Sequence, residues 1–187
     1  MLQLAAVFSD HMVLQREKNI VVFGIGEVGA IITVSIPERK LYASTTVKED
    51  GSWRLQFPPQ PAGTGLSLFA KDSHTEIHFQ DVAIGEVWLA GGQSNMELKI
   101  EELPSKCEAV RAEAGKLPQL RMLTVPQRAQ PVPMADVAAD WQVAGPECVA
   151  GWSAVGYFFA RKLHRELNVP VGIVSSNWGG TVAEAWT

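Results

Sequence analysis

The sequence predicts a β-sandwich over residues 1–83 followed by an α/β domain over residues 84–187. Three observations carry that division. Up to about residue 83, short apolar–polar alternations recur between closely spaced turn signals, the pattern of a sandwich. Val87 to Ala90 then form an unbroken apolar run closed by Gly91-Gly92, which reads as a short buried strand. Further on, a helical pattern opening at Ser153 runs into a second buried stretch, Val171-Gly172-Ile173-Val174-Ser175-Ser176. A helix leading to a strand, after an earlier strand of the same kind, implies a right-handed parallel crossover.

In the first region Ile20-Val21-Val22-Phe23 is a compact apolar run. Ile31 to Ile36 is β-branched at five of six positions, with Val34 and Ile36 on one face and Thr33 and Ser35 on the other. Leu41 to Val47 alternates and ends in the turn Lys48-Glu49-Asp50-Gly51. Trp53 to Phe57 alternates again, as a half-buried strand does. Pro58 to Gly65 is a connection, and Leu66–Ala70 with Thr75–Phe79 reads as a final hairpin. Asp81-Val82-Ala83-Ile84 enters the next region without a flexible linker, so the two domains are expected to pack rigidly. Gly24-Ile25-Gly26-Glu27-Val28-Gly29 matches the glycine pattern of a dinucleotide site. That site needs a helix to begin at the glycines, and a strand follows instead, so the stretch reads as a hairpin turn. His74 and His78 share one face of a strand, well separated and with no third ligand nearby, and His11 reads as a turn residue.

In the second region the chain turns helix-friendly over residues 97–102 and 106–116, broken at Pro104 and closed by Gly115 and Pro118. Leu120 to Val125 is a strand. Residues 126–151 are rich in proline and small side chains and read as a long functional loop or lid, with Trp141 as its anchor. In the helix from Ser153, Phe159, Leu163 and Leu167 fall on one face. Arg161, His164, Arg165 and Glu166 cover the opposite side and its flanks, and Asn168 and Pro170 end it.

Composition narrows the function. A hydrophobic content of 47% with 19% charged residues suits a well-cored globular chain. The net charge of −4 lacks the basic clustering of a nucleic-acid surface. No apolar run approaches the ~18 residues of a membrane span, so neither nucleic acid nor membrane is expected as a partner. The N-terminus is apolar but has no basic start, which makes it a poor signal peptide. Cys107 and Cys148 imply no disulfide framework; free buried thiols are the better reading, and a pair stays open.

Gln93-Ser94-Asn95 places a hydroxyl flanked by two amides just past the end of the Val87–Ala90 strand. Ligands bind at the carboxyl ends of strands in open α/β sheets, which nominates Ser94 as a nucleophile. A second strand end carries Asn177-Trp178-Gly179-Gly180-Thr181. There Thr181 and Glu184 fit a capping box, setting Gly179 and Gly180 at a helix N-terminus with outward N–H groups. Such a turn can serve as an oxyanion hole or simply as a sharp strand-to-helix connection; its pairing with Gln93-Ser94-Asn95 favours the former.

Gly92-Gln93-Ser94-Asn95-Met96, Trp178-Gly179-Gly180-Thr181 and Glu184-Ala185-Trp186 together resemble the sialate O-acetylesterase family, carbohydrate esterases of the SGNH hydrolase superfamily. Phe8-Ser9-Asp10-His11-Met12-Val13-Leu14-Gln15-Arg16 and the helix from Ser153 resemble that family as well. The resemblance implies a three-layer, flavodoxin-like SGNH domain. Ser94 would be nucleophile and first oxyanion donor, and Gly179 the second donor, with Gly180 as the alternative. Gln93, Asn95 and Trp178 would meet the substrate. It implies removal of acetyl groups from a sugar or polysaccharide through an acyl-serine, without metal or organic cofactor. It suggests a periplasmic or secreted location and leaves a cytoplasmic one open. The family's catalytic Asp and His lie near the end of its hydrolase domain, and no histidine here fits as general base. This chain is therefore expected to be the N-terminal part of such an enzyme, inactive alone. Its cut sheet would be completed by the missing portion or by self-association of an exposed edge. A noncatalytic carbohydrate-binding scaffold and an SGNH lipase or thioesterase are the other readings. No cation for a sialic acid carboxylate can be nominated.

Overall fold

The computed structural model describes residues 1–132, 134–182 and 184. The chain divides into two compact units, Met1–Glu86 and Val87–Thr187.

The first unit is built of β-strands. One sheet has the order β1 (Gln3–Leu4), β3 (Ile20–Ile25), β6 (Ser52–Phe57). The other runs from β5 (Leu41–Thr46) through β4 (Ile31–Ile36) and β7 (Gly63–Lys71) to β8 (Glu76–Gly92), with β2 (Val13–Gln15) pairing parallel to β8. Alternation decides which side chains are inside: Ile32, Val34 and Ile36 of β4, and Trp53, Leu55 and Phe57 of β6, are buried. The glycine-patterned stretch departs from a hairpin. β3 pairs with β1 and β6, whereas β4 pairs with β5 and β7, so the turn between them carries the chain from one sheet to the other. Gly24 is required by β1, because a Cβ there would collide with the backbone of Gln3 and Leu4. His78 stacks on Phe69 with ring centroids 4.2 Å apart, and the His74 N–H is held by Asp72.

Two separate strands were expected over residues 75–90, and one continuous strand, β8, is found. A bulge absorbs the irregular segment: between the Leu68–Phe79 and Leu66–Val82 pairs β8 carries an extra residue, and Asp81 adopts φ 51°. Asp10 Oδ1 accepts the Gln80 N–H at 2.7 Å, and His11 Nδ1 meets Asp81 Oδ2 at 2.8 Å. β2 pairs with Ala83–Gly85, so the backbone is hydrogen-bonded through the segment read as having no flexible linker.

In the second unit the last part of β8, Val87–Gly92, neighbours β11 (Val171–Asn177). β9 (Leu120–Thr124) lies parallel to β11, and β10 (Trp141–Val143) lies antiparallel to β9. The helices are α1 (Ser94–Glu97), α2 (Pro104–Ala114) and α3 (Ala154–Leu167). Pro104 starts α2 instead of breaking a longer helix, as suits a residue without an N–H to donate. The long loop is partly ordered: Trp141 is buried in β10, and a 3₁₀ turn spans Val149–Gly151. Cys107 and Cys148 are free thiols; burial pushes the Cys148 thiol up from its ordinary pKa.

α3 buries a different stripe from the one its large apolar residues suggest. Ala154, Gly156, Tyr157 and Ala160 are inside, while Phe159 and Leu167 are 42% and 43% exposed. Small residues let the helix approach the sheet closely. Gly156 illustrates this, since a Cβ there would sit 3.2 Å from Met122 Cε. The larger side chains are thereby left on the flank, where Phe159 meets Trp88 edge-on at 5.3 Å. Arg161 and Arg165 of α3 both reach Glu113 of α2.

Candidate active site

β8 ends at Gly92, and the next turn brings the chain straight into α1. Gly92 has φ 143°, a left-handed conformation that a side chain would strain. The Gln93 carbonyl accepts from the N–H groups of Met96 and Glu97 and closes the turn. Ser94 is the first residue of α1 and is exposed. Its base is fixed by α3: Ser153 Oγ donates to the Met96 carbonyl at 2.6 Å and accepts the Gly156 N–H as the N-cap of α3. Gln93 and Asn95, on either side of Ser94, are exposed.

The second strand end converges on the first. The Trp178 N–H donates to the Gly92 carbonyl at 3.0 Å. A Cβ built on Gly179 would lie 3.6 Å from Ser94 Cα and would collide with the Glu97 carboxylate. Ser94 and Gly179, 85 positions apart in the sequence, are thus neighbours. The Gly179 N–H donates to Glu97 Oε2. Glu97 Oε1 accepts from Gln127 Nε2 at 2.6 Å, and the same amide reaches the Asn177 carbonyl at 3.2 Å. Gly180 has φ 75° and open space where a Cβ would be. Thr181 Oγ1 donates back to the Trp178 carbonyl at 2.7 Å. Ala183, Ala185 and Trp186 lie outside the described residues, and with them most of the helix expected to begin at Thr181.

Beside this arrangement is a cavity of about 620 Å³ whose walls include Gln127, Arg128, Ser176, Asn177, Trp178 and Thr181. A smaller one of about 430 Å³ adjoins Glu97, Gln127, Ser153 and Asn177. Ser94 lines neither, so the cavities flank the hydroxyl without enclosing it. Sequence reasoning placed Ser94, Gly179, Gly180 and Trp178 in the site but missed Glu97, Gln127 and Arg128. Glu97 carried a legible signal, since three residues beyond Ser94 on a helix is the same face. Gln127 and Arg128 carried none, being two residues of a loop without periodicity.

The histidines have other duties. His164 Nδ1 meets the Val169 carbonyl at 2.8 Å at the C-terminal end of α3. That is ten residues, or ~15 Å of helix, from the end that holds Met96. His11, His74 and His78 belong to the first unit, where the His11 ring meets Asp81 and the His78 ring stacks on Phe69.

A family model described as a bacterial Ig domain matches residues 10–77. Over 99% of its length the chain is 31% identical to the sialate O-acetylesterase of Homo sapiens, covering 38% of that protein. It is 29% identical to that of Mus musculus, covering 37% of it. Among solved structures, a carbohydrate acetylesterase from Xanthomonas citri superposes with a TM-score of 0.92 at 36% identity, over 99% of this chain and 42% of that one. The chain therefore spans about two fifths of the length of these relatives.

Proposed function

On the premise of whole-length homology to the sialate O-acetylesterases, we propose that the chain carries the nucleophile and part of the oxyanion hole of a carbohydrate O-acetylesterase. The second unit then corresponds to part of a three-layer, flavodoxin-like SGNH hydrolase domain. The observation that carries this reading is the meeting of Ser94 with the Gly179–Gly180 turn, 3.6 Å from Ser94 Cα to a Cβ position on Gly179. An exposed hydroxyl beside a glycine turn at a second strand end is an arrangement that suits acyl transfer.

In this scheme Ser94 Oγ attacks the acetyl carbonyl carbon, the sugar oxygen leaves with a proton, and water hydrolyses the acetyl-serine to acetate. The Ser94 N–H is one oxyanion donor and the Gly179–Gly180 turn supplies the second. Of the two glycines, Gly179 has its N–H on Glu97 in the resting arrangement. Gln93, Asn95 and Trp178 face the substrate, with Trp178 as a platform for a sugar ring and Arg128 as the cation that an acidic sugar requires. None of the four histidines is assigned as the general base, and no metal or organic cofactor enters the scheme. Further strands or a second copy would add to the sheet near Trp88 and Leu89, which are 45% and 71% exposed.

The test is Ser94→Ala in the full chain, assayed on an aryl acetate. A hydroxyl nucleophile predicts a loss of at least ~10³-fold in turnover. Retained turnover overturns the assignment, and a preference for long acyl chains overturns the acetyl-ester reading.

A further inference from the structure

Glu97 sits one helical turn beyond the proposed nucleophile, and its side chain does not point to solvent. One carboxylate oxygen takes the Gly179 N–H, and the other takes Gln127 Nε2, which is also bonded to the Asn177 carbonyl. Three separate parts of the site are joined at this one group: the turn that presents Ser94, the strand end that presents Gly179 and Gly180, and the loop after β9 that walls the neighbouring cavity.

We infer that Glu97 is a positioning residue: by holding the Gly179 N–H its carboxylate fixes the Gly179–Gly180 turn against Ser94, and the Gly180 N–H is then the donor that the turn offers to the oxyanion. The inference rests on the esterase reading for its catalytic consequence, but not for the contact itself. Its physical basis is the strength of hydrogen bonds to an ionised acceptor, roughly twice that of neutral ones. A turn with two adjacent glycines has no conformational preference of its own to hold it. The glycine at position 179 is then explained by crowding, since any side chain there would displace the carboxylate. Gln127 serves as the brace that keeps Glu97 turned inward.

Two readouts test this on the full chain. The first needs no activity. In Glu97→Gln and Glu97→Ala the Gly179 amide proton should move upfield of its position in the parent, and its exchange with solvent should speed up by about tenfold or more, the range expected for a lost charge-assisted bond. Amides in β9 should stay unchanged. A Gly179 amide indifferent to both substitutions overturns the inference.

The second readout is aryl acetate hydrolysis. Glu97→Ala should lower kcat by about tenfold to a hundredfold with KM within about twofold, because oriented donors act on the transition state. Added formate should restore part of the Glu97→Ala rate and leave the parent unaffected. A faster Glu97→Ala enzyme would mean that the carboxylate obstructs the Gly179 donor, and that result also overturns the proposal. The outcomes separate cleanly from the functional reading. If Ser94→Ala leaves turnover intact, the esterase assignment fails while the amide readout still judges Glu97.

Discussion

The two paired-glycine turns of the second unit look alike on paper and are held in opposite ways. After β8, Gly92 reverses the chain and backbone bonds do the holding: the Gln93 carbonyl takes the Met96 and Glu97 N–H groups, and the Gly92 carbonyl takes the Trp178 N–H. What that turn presents is a side chain, the Ser94 hydroxyl. After β11, the turn presents backbone N–H groups, and a side chain does the holding, since Glu97 grips Gly179. A hydroxyl can rotate to find its partner, so its turn needs only a stable stem. A backbone donor points where its peptide plane points, so its turn needs an external clamp. Glycine is therefore used at Gly92 for its φ of 143° and at Gly179 for its lack of bulk.

The sharpest way to break this contrast, after the loss of the Ser94 hydroxyl itself, is Gly179→Ala. The added methyl must displace the Glu97 carboxylate. Turnover on an aryl acetate should fall by about 10²-fold, the cost of misplacing one oxyanion donor, with the melting temperature little changed. The double variant Gly179→Ala/Glu97→Ala should be less impaired than the product of the two single losses, because one clamp is lost in both. Strictly multiplicative losses would show that Gly179 and Glu97 act separately.

This contrast also marks how far the sequence could be read. Strands β4, β5 and β6 were legible because alternation has a period of two and one face is buried: Ile32, Val34 and Ile36 had to point inward; β1 and β2, of two and three residues, are too short to show it. Both glycine turns were legible because each follows an apolar run, but the first run is not the buried strand expected: of Val87–Ala90 only Ala90 is buried, and Trp88 and Leu89 are exposed. The continuity of β8 was not, since it depends on a bulge at Asp81 and on pairing with β2, seventy residues away in the chain. The buried stripe of α3 was misjudged because the spacing of Phe159, Leu163 and Leu167 was followed, whereas Gly156 and Ala160 permit the close approach. Glu97 was read as one of a run of helix-forming charges. Its place on the Ser94 face could be read from the three-residue spacing, but its partner lies 82 positions later, and no local pattern reports that.

The contrast can be sharpened at the stem of the first turn. Ser153 both caps α3 and ties Met96, so Ser153→Ala removes a donor and an acceptor at a buried site. A loss of about 1–2 kcal/mol in unfolding free energy is expected, near the upper end for N-caps. Thermal or urea denaturation measures it. Turnover should fall much less than in Gly179→Ala, because the Gln93 carbonyl still closes the turn. A drop in turnover as large as that of Gly179→Ala would mean that the first turn, too, depends on a side-chain clamp.

The smallest effect is expected one residue further along the second turn. Gly180 has φ 75° but nothing within contact of a Cβ, so Gly180→Ala meets no steric obstacle and incurs only the left-handed backbone penalty. That penalty is about 1 kcal/mol. Gly180→Asn, which tolerates this conformation better, should recover part of it. Gly179→Asn should recover nothing, because bulk and not φ is the constraint there. Comparing the Ala and Asn variants at both positions in one denaturation series distinguishes the two kinds of glycine. Equal behaviour at the two sites would show that the clamp at Gly179 yields to a side chain, and the difference drawn between the turns would disappear.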